Sequence, residues 1–194
     1  MVASDKGYVS PARYLENESG AELRSEYWDG EVVAMAGGSP VHNRIVRNLI
    51  RRLGNLLEGS HCEPFTSETR VHIPRCNSCF YPDASVVCGT IETTDEATET
   101  ILNPIAIFEV LSPATEAAER GRKFACYRSL SSLECYVLIE QETPAVDLFL
   151  RQPDGTWLLL AQTGIENVLP LTAIGITLTF SELYKGITWI EAEE

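Results

Sequence analysis

The sequence predicts an α/β (α+β) protein, with a central mixed β-sheet flanked by helices and extra hairpins at the N- and C-terminal ends. Three observations carry this. Two stretches, 40–57 and 115–129, repeat apolar residues at helical period. The run Ile105–Leu111 is apolar on both faces apart from Glu109, as the interior of a covered sheet requires. Asp-Gly pairs at 29–30 and 154–155 separate apolar runs, a strong hairpin signal.

Ser10-Pro11 supplies an N-cap serine and a proline at the first helical position, so a short helix is expected to about Ser19. Leu23 to Met35 reads as a hairpin around Asp29-Gly30, and Gly37-Gly38 breaks its second strand. Ser39-Pro40 repeats the cap and opens a longer helix. Val41, Ile45, Leu49, Leu53 and Leu56 line its apolar face, Arg44, Arg47 and Arg51 its flank, and Gly59 ends it. Strands are expected at about 61–66, 68–73, 82–88 and 104–111, with an acidic, Thr-rich loop over 89–102. An amphipathic helix from Thr115 to Arg128 follows, then strands near 134–140, 145–151 and 156–162. Leu169 to Phe180 holds one or two short strands before a closing helical turn.

At 194 residues the chain suits one domain. Its core spans about 40–140, with an N-terminal helix–hairpin over 10–36 and a C-terminal β-extension over 145–187. No segment approaches the ~20 apolar residues of a membrane span, and the N-terminal segment lacks the apolar stretch of a secretory signal, so a cytoplasmic protein is expected. The net charge of −13 argues against a protein that coats nucleic acid with its whole surface. Two segments run against that sum: Arg44, Arg47, Arg51 and Arg52, and Arg120, Arg122, Lys123 and Arg128. The six cysteines need no disulfides in a chain of this size and setting. Cys76-Asn-Ser-Cys79 is a lone CxxC that would need His61 and Cys62 as a second ligand pair to hold zinc, and it reads more simply as a loop with two thiols. GxSxG, phosphate-loop, HExxH and dinucleotide motifs are absent, so serine-hydrolase and nucleotide-dependent functions have no support.

The residues that carry chemistry are Asp83, at the start of one strand, and Glu109, the lone charge in another. A buried carboxylate is costly unless it is paired, protonated or bound to a metal. If the two strands are neighbours, the acids converge on one Mg²⁺ or Mn²⁺, cations that take oxygen ligands and keep several waters. Such a cation makes a bound water acidic and offsets charge on phosphoryl oxygens. Lys123, on the helix after the Glu109 strand, is the cation best placed to orient that water and stabilise the transition state.

Pro82-Asp83, Glu109 after 26 residues and a following basic helix resemble the PD-(D/E)XK, restriction-endonuclease-like superfamily. The phrases Glu26-Tyr-Trp-Asp-Gly-Glu31, Met35-Ala-Gly-Gly-Ser-Pro-Val-His42, Glu109-Val-Leu-Ser-Pro-Ala-Thr115 and Arg120-Gly-Arg-Lys123 are similar to one branch, the Uma-type restriction endonuclease family. The resemblance covers about residues 10 to 187 and implies an αβββαβ core, with 40–57 and 115–129 as its helices. It further implies a metal held at Asp83, Glu109 and Val110, and catalysis by Asp83, Glu109 and Lys123 with Glu26 and His42 in support. The superfamily's usual lysine position is Leu111 here, so Lys123 stands as a migrated lysine. His42 reads first as a helix-capping residue. Arg44, Arg47, Arg51 and Arg120 are the nucleic-acid contacts in this reading. DNA is the expected partner, with a homodimer or higher homo-oligomer as the assembly. Leu111 and the acidic charge also fit an alternative: an inactive nuclease fold that binds nucleic acid or mediates protein interaction.

Overall fold

The structure, a computed structural model, describes residues 7–35, 37–94 and 97–189. In chain order it begins with helix α1 (Pro11–Glu18) and strands β1 (Ser25–Trp28) and β2 (Glu31–Ala34), followed by helix α2 (Pro40–Leu57). Strands β3 (Cys62–Thr66), β4 (Arg70–Ile73), β5 (Ser78–Phe80), β6 (Ala84–Cys88), β7 (Thr93–Thr94), β8 (Ala97–Ile101) and β9 (Ala106–Val110) come next. A helix over 116–127, α3, leads to β10 (Cys135–Ile139), β11 (Ala145–Arg151) and β12 (Trp157–Thr163). The chain closes with β13 (Val168–Leu171), β14 (Ile176–Thr179) and α4 (Phe180–Leu183).

The two serine caps form as the sequence predicts. The Ser10 hydroxyl accepts the Arg13 N–H at 3.3 Å, and the Ser39 hydroxyl accepts the His42 N–H at 3.0 Å. Asp29 and Gly30 both adopt positive φ, 45° and 98°, which suits a two-residue hairpin turn between β1 and β2.

The central sheet has the order β12-β11-β10-β9-β6-β3. β9 runs parallel to β10 and antiparallel to β6, with all five of its residues buried, so the expected central strand is central. The elements α2, β3, β6, β9, α3 and β10 make up the expected αβββαβ core. Side chains of β9 alternate between two clusters. Ala106, Phe108 and Val110 meet Ile45, Leu49 and Leu53 of α2, while Ile107 joins Leu111, Phe80, Tyr127 and Tyr136 on the other face. Ile45, Leu49 and Leu53 have no exposed surface, and burial of each contributes about 1.5–3 kcal/mol.

The architecture departs from the expected single sheet. A second six-stranded sheet, β2-β1-β5-β4-β8-β7, packs through Val71, Ile73, Phe80 and Trp28 on the α3 side of the central sheet. The N-terminal hairpin is therefore an edge of a layer, and the strand near 68–73 belongs to that layer rather than to the core. The expected loop 89–102 supplies the edge strand β7 and its neighbour β8, because β-branched threonine suits a strand; Asp95 and Glu96 lie outside the described residues. At the other end, β11 and β12 extend the central sheet, and only β13–β14 forms a separate ribbon.

The cysteine expectation is corrected as well. Cys62 bonds to Cys88 and Cys76 to Cys126. Cys76 lies on a 3₁₀ turn beside α3, whereas Cys79 is buried on β5 against Tyr14 and Tyr27, so the CxxC residues serve different clusters and do not form a ligand pair. Among the described residues no helix is long and apolar enough to cross a membrane.

Asn48 ties α2 to the C-terminal segment. Its buried amide donates to the carbonyls of Leu183 at 2.9 Å and Lys185 at 3.0 Å. Asn48→Ala leaves both acceptors without their donor, and chemical denaturation is expected to show a loss of about 1–3 kcal/mol.

Candidate active site

The pairing of β6 with β9 brings the two strand acids together. Ala84 faces Phe108 in the register, so Asp83, one residue earlier, stands opposite Glu109. Each carboxylate reaches the other strand's main chain: Val110 N–H donates to Asp83 Oδ2 at 2.7 Å, and Asp83 N–H to Glu109 Oε2 at 3.4 Å. The Val110 side chain is sealed in the α2 core, so this residue meets the site only through its backbone.

Lys123 reaches these acids from α3. Its Nζ lies 2.6 Å from Glu26 Oε1 and 3.3 Å from Glu109 Oε1, with the Phe80 ring 5.6 Å away. Glu26 arrives from β1 of the second sheet, and its other oxygen accepts the Trp28 indole N–H at 3.2 Å. Tyr127 Oη donates to Glu109 Oε1 at 3.3 Å. Burial and the Glu109 charge push the Tyr127 phenol up, so it remains a donor.

Where a regular helix was expected over 115–128, α3 contains a π turn at Glu119–Lys123 between short α-helical pieces. Wide turns of this kind gather at functional sites. Here the turn carries the two polar residues of α3 that are fully buried, Glu119 and Lys123. Sequence reasoning passed over Glu119. The available signal was its position four residues before Lys123, which sets both on one helix face. Its Oε2 is buried without a hydrogen-bond partner.

His42 sits at the N-terminus of α2 with Nε2 3.3 Å from Asp83 Oδ2. Its backbone N–H is capped, as expected of a helix-start residue, but its ring belongs to the site. Gly38 makes room for that ring, since a Cβ there would come within 2.5 Å of His42 Nδ1. These residues line a cavity of about 720 Å³, which Trp28, Ser39, Tyr81, Ser112 and Arg122 also border. Arg122, exposed at the rim, stacks over the Trp28 indole at 4.6 Å. The four arginines singled out from the sequence do not border it. Arg44 donates to the Gly186 carbonyl at 2.8 Å, Arg47 to Asn48 Oδ1 at 3.3 Å, and Arg51 is exposed on α2. Arg120 is enclosed by Glu116, Glu140 and Asp147. That ion-pair network engages the Arg120 guanidinium on three sides.

The electrostatics follow from four carboxylates gathered around one ammonium. Burial works against the Lys123 charge, but Glu109, Glu26 and Glu119 outweigh it and hold the lysine above its ordinary range. Burial first, then the neighbouring acids, push Glu109 well above the carboxylate range although Lys123 opposes them. Glu119 rises to about 7 for the same reasons. Burial disfavours charge on His42, yet the hydrogen bond and charge of Asp83, with Glu119 behind, leave it raised. The cavity thus holds more acid than its own lysine offsets, an oxygen-rich donor set with an unpartnered Glu119 oxygen. Those features fit a hard divalent cation.

Acids on adjacent strands of an αβββαβ core, with a lysine supplied by the next helix, define a restriction-endonuclease-like protein. The chain belongs to the Uma2 family, whose model, described as "Putative restriction endonuclease", matches residues 11–181. The uncharacterized protein slr1290 of Synechocystis sp. is 34% identical over 181 residues, covering 93% of this chain and 94% of that protein. The uncharacterized protein sll1609 of the same organism is 35% identical over 167 residues, or 86% and 94% of the two chains. A crystal structure of a putative nuclease belonging to DUF820 from Anabaena variabilis superposes with a TM-score of 0.74 at 16% identity, covering 91% of this chain and 97% of that one. That likeness confirms the mixed α+β nuclease fold.

The raised Glu119 pKa has a consequence for stability. A carboxyl whose folded pKa exceeds its unfolded value, about 7 against 4.5, carries no penalty below pH 4.5. Its penalty grows as pH rises through that window and is complete above it. Metal-free Glu119→Gln is therefore expected to be more stable than the parent at pH 8, by up to about 3 kcal/mol. The gain should vanish near pH 4.5, as denaturation midpoints across that range will show.

Proposed function

We propose that this protein is a Mg²⁺- or Mn²⁺-dependent endonuclease that hydrolyses DNA phosphodiester bonds. The observation that carries the reading is the Lys123 ammonium, delivered from α3 to Glu109 at 3.3 Å where the strand position Leu111 offers no cation. In this reading Asp83 and Glu109 hold the cation, with the Val110 main chain beside them and Glu26 and Glu119 adding negative charge. A cation bound there would acidify a water and neutralise charge on the scissile phosphate.

The chain's own groups supply the remaining chemistry. Lys123 stays protonated, so it can donate to the attacking water or to a phosphoryl oxygen while the transition state gathers charge. Glu119, with an unpartnered oxygen and a pKa about 7, suits a proton acceptor at neutral pH. His42 holds Asp83 by its Nε2 contact and keeps that carboxylate turned toward the cavity. The N-terminus of α2 borders the cavity at Ser39 and His42, and its positive dipole end favours a phosphate there. Arg122 over Trp28 offers a cation at the rim for the DNA backbone. The proposed assembly is a homo-oligomer, supported by Leu158, Leu159 and Leu160, which are exposed on the edge strand β12.

With Mn²⁺ or Mg²⁺, the purified protein is expected to cut supercoiled plasmid or branched DNA. Asp83→Ala should abolish cleavage, and Lys123→Ala should lower it by about 100-fold or more while calorimetry still detects Mn²⁺ binding. Absence of cleavage by the parent protein on every DNA form with both metals would overturn the assignment.

A further inference from the structure

A second set of metal-ligating side chains lies at the opposite end of β6 from Asp83. Cys62, at the start of β3, faces Cys88, at the end of β6, in the antiparallel register. The Gly89 N–H donates to the His61 carbonyl at 2.7 Å, so the 61/89 position is a hydrogen-bonded pair and 62/88 the non-hydrogen-bonded pair beside it. Side chains at such pairs project from one face at the shortest cross-strand separation, here with the α-carbons 3.9 Å apart. His61 immediately precedes β3. One of its ring nitrogens lies within 4.8 Å of both sulfurs. Among the described residues, this is the one group of three or more His, Cys, Asp or Glu side chains whose ligand atoms approach each other that closely.

The donor set is two thiol sulfurs and one imidazole. Soft and borderline cations prefer such ligands, and Zn²⁺ commonly takes three protein ligands with water in the fourth position. The oxygen-rich cavity around Glu109 has the opposite preference. Five residues of strand separate the two, or about 16 Å, so they are independent sites.

We propose that His61, Cys62 and Cys88 form a zinc site that exists only when the Cys62–Cys88 disulfide is open. A dithiol reductant opens it, passing two electrons and two protons to the sulfur–sulfur bond and itself ending as a cyclic disulfide. Two thiols result, and zinc binding then releases their two protons to solvent. A disulfide oxidant reverses this: it takes two electrons from the Cys62 and Cys88 thiolates and two protons from solvent, ends as two thiols, and leaves the sulfur–sulfur bond restored and the metal released. His61 is exposed and Cys88 half-buried, so reductant and metal both have access.

Cobalt(II) is the probe, because only thiolate ligation gives it sulfur-to-metal charge-transfer absorption and the carboxylate cavity cannot imitate that signal. Full-length protein reduced with a phosphine and freed of it should show one equivalent of this absorption, displaced by zinc. Oxidised protein should show none. His61→Ala changes an exposed side chain and keeps both thiols. It should weaken binding by at least about tenfold, the loss that even an outer-shell partner produces. Cys88→Ser should abolish the signal, and Cys76→Ser, which removes a thiol of the other disulfide, should leave it intact. Absence of absorption in the reduced parent overturns the proposal. So do unchanged affinity in His61→Ala and loss of the signal in Cys76→Ser.

Discussion

The structure turns on the buried ion pairs of Lys123. Taking an ammonium and a carboxylate out of water costs several kcal/mol per ion, and only close partners return it. Those partners come from three layers: Glu109 from the central sheet, Glu26 from the second sheet, and Lys123 itself from α3. The aromatic groups around them serve the same end. Trp28 holds Glu26, Tyr127 holds Glu109, and Phe80 lies against the ammonium. Loss of any one partner would strand a buried charge, so the packing of both sheets on α3 and the composition of the cavity are a single constraint.

The same cavity gathers more acid than that lysine offsets. With Glu26, Asp83, Glu109 and Glu119 near one lysine, full ionisation is unfavourable, and protons remain on Glu119 into the neutral range. A cation arriving in such a cavity displaces protons as well as water, so affinity for it should rise with pH.

Much of this arrangement was legible in the sequence. β9 announced itself because residues on both its faces are apolar, which only a covered central strand requires. The serine caps fixed the starts of α1 and α2, and Asp83, Glu109, Lys123 and Glu26 all reach one cavity. What escaped depends on pairing at a distance. The second sheet is built from short strands such as Ser78–Phe80, three residues with no period of their own, and from Thr-rich segments whose acids resemble loop. The cysteine pairs join residues 26 and 50 positions apart, and spacing alone does not choose among such partners. The ion pairs of Arg120 were hidden because its three carboxylates lie on α3, at the end of β10 and on β11, elements whose neighbourhood only the fold reveals. Glu119 was overlooked because one acid in a basic helix reads as a solvated face.

The π turn in α3 also bears on how this helix tolerates change in length. A turn of this type holds one residue more than regular winding needs, so the helix stores an insertion at Glu119–Lys123. Removing one residue there would let the backbone relax into uninterrupted α-helix and satisfy its hydrogen bonds at least as well. Because the wide turn absorbs the extra residue within itself, the turns on either side would keep their relative phase. Glu119 and Lys123 would become i and i+3, still neighbours on one helix face. The segment is thus a place where the chain can change length by one residue without turning these two side chains apart.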